Sequence, residues 1–147
     1  MLPPELAASL KKFSIELGLH ACNLPEEVGG GGLDAVSVML IEKELGRTSL
    51  ALAECAHRPL NILASCEGEQ VKQFLEPTVR GEKRDCIAMT EPGAGSDLRG
   101  MKCKAVLDGN EWIINGEKHF ISQASVSDYC VLFATTGKEQ TNKGLKK

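Results

Sequence analysis

The sequence predicts an α+β fold, a helical first domain followed by an incomplete antiparallel β-barrel domain. Three observations carry this. Apolar residues recur at offsets of three and four through the first half. Near Gly81 the period shortens to that of strands, with turn residues between the runs. Helices precede strands instead of alternating with them, which is the α+β order. The boundary is expected near residue 82, giving a helical domain over 1–82 and an unfinished β domain over 83–147.

Pro3 and Pro4 suit the first turn of a helix. Leu6, Leu10, Phe13 and Leu17 then follow on one face, and Gly18 stops it. Leu24-Pro25-Glu26-Glu27-Val28 and the four glycines Gly29 to Gly32 are expected to form a flexible connection. They lack the Lys-Ser/Thr of a phosphate loop, and no strand precedes them. Asp34 is placed to cap a helix over Ala35 to Leu45, apolar nearly all round and so expected to be buried. Gly46 ends it. Ser49 is placed to cap a third helix through Leu50, Leu52 and Cys55, divided by Pro59 before Leu60 to Ala64. A fourth helix is expected over Glu69 to Leu75, with Val71, Phe74 and Leu75 inward and Pro77 beyond its end.

In the second half, Lys102 to Leu107 reads as a strand and Asp108-Gly109-Asn110 as a turn. Trp112-Ile113-Ile114 is the next strand. Asn115-Gly116 is a strong hairpin signal, so Glu117 to Ser122 is expected to return as a third. Tyr129 to Ala134 is a continuous apolar run, expected to be a buried strand. Beyond it the chain is polar and lysine-rich, and Lys138, Lys143, Lys146 and Lys147 are expected to form a solvated tail. So few strands do not close a barrel, and a natural domain is expected to continue.

Of the 147 residues 42% are hydrophobic and 25% charged, with net charge −3. That balance gives no basic footprint for nucleic acid. No apolar run is long enough to span a membrane, and Met1-Leu2-Pro3-Pro4 is not a secretory signal. The six cysteines form no C-x-x-C and no zinc spacing with histidine, so no metal site is expected. They are read as reduced and structural, in a reducing compartment. His20, His57 and His119 are isolated and read as structural.

The densest chemistry lies in Thr90-Glu91-Pro92-Gly93-Ala94-Gly95-Ser96-Asp97, just after the apolar run Ile87-Ala88-Met89. Glycines allow close backbone approach, and hydroxyls and amides in such a turn can hold phosphate or ring heteroatoms. Leu98 stands where a dinucleotide fingerprint needs its third glycine, which excludes a nicotinamide site of that type. Glu91 and Asp97 could pass for an acid/base pair, but in a tight turn they are expected to accept from backbone N–H groups.

That segment resembles the signature of acyl-CoA dehydrogenases. Leu24-Pro25-Glu26-Glu27-Val28-Gly29-Gly30 resembles the family's loop between N-terminal helices, and Val79-Arg80-Gly81-Glu82 its segment before the first strand. Trp112-Ile113-Ile114-Asn115-Gly116-Glu117-Lys118 resembles the hairpin that follows, and Phe120-Ile121-Ser122 stands where the family usually has Trp-Ile-Thr. These motifs occur in one order over nearly the whole chain.

The resemblance implies FAD as cofactor, held between a β-barrel and a C-terminal helical bundle. Thr90 would bond the flavin ring, with backbone groups of Ile87, Ala88 and Met89 along the same edge. Gly95 and Ser96 would lie by the pyrophosphate, and Ser96 would also meet the CoA of the substrate. Phe120 would cover one flavin face, Ile121 would follow it, and Ser122 would bond near N5. Phe for Trp loses an N–H donor and Ser for Thr a methyl.

The implied reaction is α,β-dehydrogenation of an acyl-CoA thioester to the trans-2-enoyl-CoA. An acyl-CoA oxidase or flavin monooxygenase of the same fold is the alternative. The family's catalytic base is a glutamate of the C-terminal bundle, so no catalytic residue is assigned here. The 147 residues alone are expected to be inactive and to hold FAD weakly. An electron-transfer flavoprotein as acceptor, a homo-oligomer (dimer or tetramer) and a cytoplasmic or mitochondrial-matrix location are also implied.

Overall fold

A computed structural model describes residues 2–56 and 58–137. His57 and the expected lysine tail lie outside the described residues. The chain divides into two compact units, the first comprising 1–85 with 126–129, the second 86–125 with the chain from 130 onward.

The first unit is helical. Helix α1 spans Pro4–Glu16 with proline in its first turn, and Gly18 stops it at φ +69. Its buried residue is Ser14, whereas Leu6, Phe13 and Leu17 are exposed. The periodic face is therefore not the packed one. A 3-10 turn, Glu26–Val28, leads into the glycine run.

That run is not the flexible connection expected. A Cβ on Gly30 would lie 2.3 Å from the Leu24 carbonyl oxygen, and one on Gly31 would lie 2.8 Å from the Cys22 Cα. The amides of Gly30, Gly31 and Gly32 donate to Pro25, Ala21 and Leu24. The glycines are there because two backbone segments pack closer than any side chain permits. Leu24, Ala21 and Cys22 are accordingly at the centre of the core.

Helix α2 spans Ala35–Leu45, and the Asp34 carboxylate caps it by accepting from Val36 N and Ser37 N. The expected burial does not hold. None of its residues is buried, and Val36, Met39 and Leu40 are exposed. Only Ser37, Val38, Ile41 and Leu45 are partly covered. Helix α3 is short, Leu50–Ala53, with Ser49 at the cap position but making no side-chain cap bond.

The expected fourth helix runs on through its proline. A π-turn, Val71–Leu75, continues directly into α4, Glu76–Val79, with Pro77 in its first turn. Proline has no N–H to offer the carbonyl four residues back and crowds it. The wider turn makes room, and the Gln73 carbonyl accepts from Lys83 Nζ at 2.9 Å instead. Thr78 is fully buried. Its hydroxyl donates to Phe74 O and accepts from the Tyr129 hydroxyl at 2.7 Å, and burial pushes the tyrosine up to about 12. His20 is structural, its Nε2 donating to Thr78 O at 2.9 Å.

Strand β1 spans Asp85–Ala88 and pairs with β4, Tyr129–Leu132. The two run parallel, since Arg84 O accepts from Asp128 N and Ala88 O from Phe133 N. Strand β4 is half-exposed, not buried as its apolar run suggested. The second unit also holds β2, Lys104–Asp108, and β3, Glu111–Asn115, an antiparallel hairpin turning at Gly109-Asn110. The expected third strand over Glu117 to Ser122 is absent. After Asn115, Gly116 packs against Cys103 so closely that a Cβ would lie 2.6 Å from its Cα. From there the chain turns toward the Thr90 segment. No closed barrel forms among the described residues. All six cysteines are free thiols, as expected, with Cys22, Cys86 and Cys103 buried.

Candidate functional site

All nine residues singled out as cofactor contacts fall within the second unit. Ile87 and Ala88 end β1, and Met89 and Thr90 continue it into the loop. Glu91 and Ala94 exchange two backbone hydrogen bonds, 3.0 and 3.2 Å, closing a tight turn over Pro92 and Gly93. Gly95 and Ser96 lie just past it and are exposed. A Cβ on Gly93 or Gly95 would meet nothing within 4 Å, so this rim is open to an approaching molecule.

Phe120 and its neighbours meet the loop through one backbone bond. The amide of His119 donates to Thr90 O at 3.0 Å. Thr90 and Phe120 are thereby brought to one edge although thirty positions separate them. Phe120 is held at φ +56 and its side chain is 86% exposed. A bulky residue in the left-handed region costs about 1–2 kcal/mol. A left-handed backbone together with an exposed ring makes Phe120 a candidate ligand face. The His119 ring lies against it, centroids 4.2 Å apart, which gives this histidine a packing role. Ile121 is half-buried and Ser122 exposed on the same segment.

The two carboxylates of the loop are consumed. Glu91 is buried and accepts from Lys102 N at 2.6 Å, Cys103 N at 2.9 Å and Lys118 Nζ at 2.8 Å. The Lys118 ammonium, with the two backbone donors, holds its carboxyl down at about 2. Asp97 accepts from Arg99 N and pairs with the Arg99 guanidinium, which lowers its carboxyl below the usual range. Both therefore accept from backbone N–H groups, as their place in a turn suggested, and neither is a base near neutral pH.

Lys118 carries no signal in the sequence beyond its place in a recognisable hairpin motif. Its side chain is 8% exposed, and its ammonium donates to Met89 O at 3.0 Å as well as to Glu91. A single lysine and a single glutamate 27 positions apart cannot be paired from spacing. Among the described residues no group of His, Cys, Asp and Glu could hold a metal ion.

The site thus offers a hydroxyl on a strand edge, an open glycine rim and an exposed aromatic face. That donor set fits a flat heteroaromatic ring with a phosphate-bearing tail.

Comparison with known proteins agrees. Residues 2–82 match the model of the acyl-CoA dehydrogenase N-terminal domain, and residues 86–146 that of the acyl-CoA dehydrogenase middle domain. The chain is 38% identical over 144 residues to the mitochondrial short-chain specific acyl-CoA dehydrogenase of Bos taurus, covering 95% of this chain and 35% of that protein. It is 32% identical over 148 residues to subunit CarC of the caffeyl-CoA reductase-Etf complex of Acetobacterium woodii, covering 97% and 38%. Among solved structures it resembles the acyl-CoA dehydrogenase of Bacillus anthracis complexed with FAD, with TM-score 0.72 and 35% identity over 88% of this chain and 24% of that one. A glutaryl-CoA dehydrogenase from Mycobacterium smegmatis in complex with FADH2 matches at TM-score 0.72 and 32% identity, covering 92% and 35%. The chain spans about a third of the length of the curated relatives it matches. With both domain models matched in order, the chain belongs to the acyl-CoA dehydrogenase family.

Proposed function

We propose that this chain forms the flavin-side part of an FAD-dependent dehydrogenase that converts acyl-CoA thioesters to trans-2-enoyl-CoA. The observation that supports the reading is the His119–Thr90 backbone bond, which brings the Thr90 and Phe120 segments together, with Phe120 exposed. Thr90 would bond the ring edge beside the backbone of Ile87, Ala88 and Met89. Gly95 and Ser96 would hold the pyrophosphate, with Ser96 also reaching the CoA moiety. Phe120 would cover one ring face, beside Ile121, and Ser122 would bond near N5. When bound, the flavin supplies the hydride acceptor.

This chain's own residues bind, orient and exclude water from one face; none removes the α-proton. Glu91 and Asp97 are held ionised by their cationic partners, so their basicity is too low for that step. The base must come from a carboxylate outside this site, and the 147 residues alone are expected to turn over no acyl-CoA. Acyl-CoA as substrate, an electron-transfer flavoprotein as acceptor, a homo-oligomeric assembly and a cytoplasmic or mitochondrial-matrix location belong to the same proposal. No described helix is long and apolar enough to cross a membrane.

Anaerobic mixing of the FAD-loaded protein, in its longest natural form, with acyl-CoAs of graded length tests the reading. Bleaching of the flavin absorption band is expected, followed by slow recovery on admitting air. No bleaching with any acyl-CoA overturns it, and fast reoxidation by air moves the protein to the oxidase reading.

A further inference from the structure

We propose that Lys118 and Glu91 are positioning residues that fix the register between the two flavin-contacting segments; this deepens, and rests on, the flavin-site reading above. Three consecutive residues of one segment, Met89, Thr90 and Glu91, are tied to two consecutive residues of the other, Lys118 and His119. The Lys118 ammonium donates to Met89 O at 3.0 Å and to Glu91 Oε1 at 2.8 Å, and His119 N donates to Thr90 O at 3.0 Å. Glu91 extends the tie to a third segment, accepting from Lys102 N and Cys103 N.

The side chains of the pair are 8% and 4% exposed, so this ion pair is not a solvated surface contact. A surface pair trades partners freely and positions little. A buried ammonium with two fixed acceptors orients both, because moving either leaves a charge or a carbonyl unsatisfied. Met89 O lies on the proposed ring edge and Phe120 is two residues past Lys118. A shift of the pair therefore moves the hydrogen-bonding edge and the aromatic face relative to each other. Its charge is neutralised internally by Glu91, so the pair sets geometry without adding net charge to the site.

A double substitution separates positioning from bulk stability. Replacing one partner strands a buried charge, whereas replacing both, Glu91→Gln with Lys118→Met, removes the charges together. The expected result is an apo-protein that melts lower, because Met89 O and one amide on Glu91 lose a partner, but that is still folded at the titration temperature, with FAD affinity reduced at least tenfold and the bound flavin's absorption band shifted. Wild-type affinity and an unshifted band in the double variant overturn the proposal.

Should the double variant not fold, Lys118→Arg gives a second test. It keeps the charge opposite Glu91, but a planar fork cannot present the two tetrahedral donors to Met89 O and Glu91. A folded apo-protein with a shifted flavin band is expected; an unshifted band with unaltered FAD affinity overturns the proposal. Failure of the wild-type protein to bind FAD counts instead against the flavin-site reading itself.

Discussion

Gly95→Ala separates a glycine kept for a ligand from one kept for the fold. A Cβ built there meets no atom within 4 Å, and Gly95 is not among the residues held at positive φ. The protein therefore has no steric or conformational use for the missing side chain. A Gly→Ala change at such a position stabilises by about 0.4–1 kcal/mol, through reduced freedom of the unfolded chain. For a unit of this size that is a rise of about 2–8 °C in melting temperature. If the backbone approaches the FAD pyrophosphate, the added methyl stands in the contact, and FAD affinity should fall at least tenfold, about 1.4 kcal/mol.

The assay is a fluorescence titration of FAD beside a melting curve of the apo-protein. Two controls frame it. Gly93→Ala is equally unobstructed but is not assigned to the cofactor, so its affinity should stay near wild type. Gly116→Ala puts a Cβ 2.6 Å from the Cys103 Cα and should lower the apo melting temperature, because that neighbour is backbone and cannot rotate away. Undiminished FAD affinity in Gly95→Ala would refute the reasoning. So would a fall in apo stability as large as that of Gly116→Ala.

Phe120→Gly relieves the left-handed strain while giving up little burial beyond the His119 ring contact, so apo melting should not fall although FAD affinity does; a fall in both would mean the ring packs on protein beyond His119. The Glu91 carboxyl is depressed from 4.5 to about 2 in the fold, so its stabilisation is complete above the unfolded value and fades as pH falls toward 2. Denaturant midpoints of Glu91→Gln should accordingly lose part of the wild-type pH dependence between about 5.5 and 2; parallel curves would exclude the buried tie. Leu24→Ala, at a side chain only 1% exposed against the glycine run, should cost about 2–5 kcal/mol by urea titration, and a loss below 1 kcal/mol would show that the site is not a core.

Local signals carried the parts of the fold that depend on neighbours in sequence. The Asp34 cap, the Gly18 stop and the Gly109-Asn110 turn are decided by groups a few bonds away, so residue type and position suffice. The chemistry-dense loop was legible for the same reason, since two hydroxyls and two glycines crowd into eight positions. Even the fate of Glu91 and Asp97 as acceptors of backbone N–H groups followed from the turn they occupy.

What needed tertiary structure was every feature that depends on a distant partner. The apolar faces of α1 and α2 announced burial, but periodicity says only that a face is apolar, not that anything lies against it. Pro77 marks the end of a helix until a lysine ten residues from Gln73 supplies the missing donor. Gly29 to Gly32 read as slack because composition cannot reveal that Cys22 and Leu24 press against them. The meeting of the Thr90 and Phe120 segments belongs to this class. The sequence alone determined the family, the helix-then-strand order and the residue types of the loop. Only the fold decided that a lysine 27 residues on would lock that loop, because a buried ion pair is a property of two separated segments meeting.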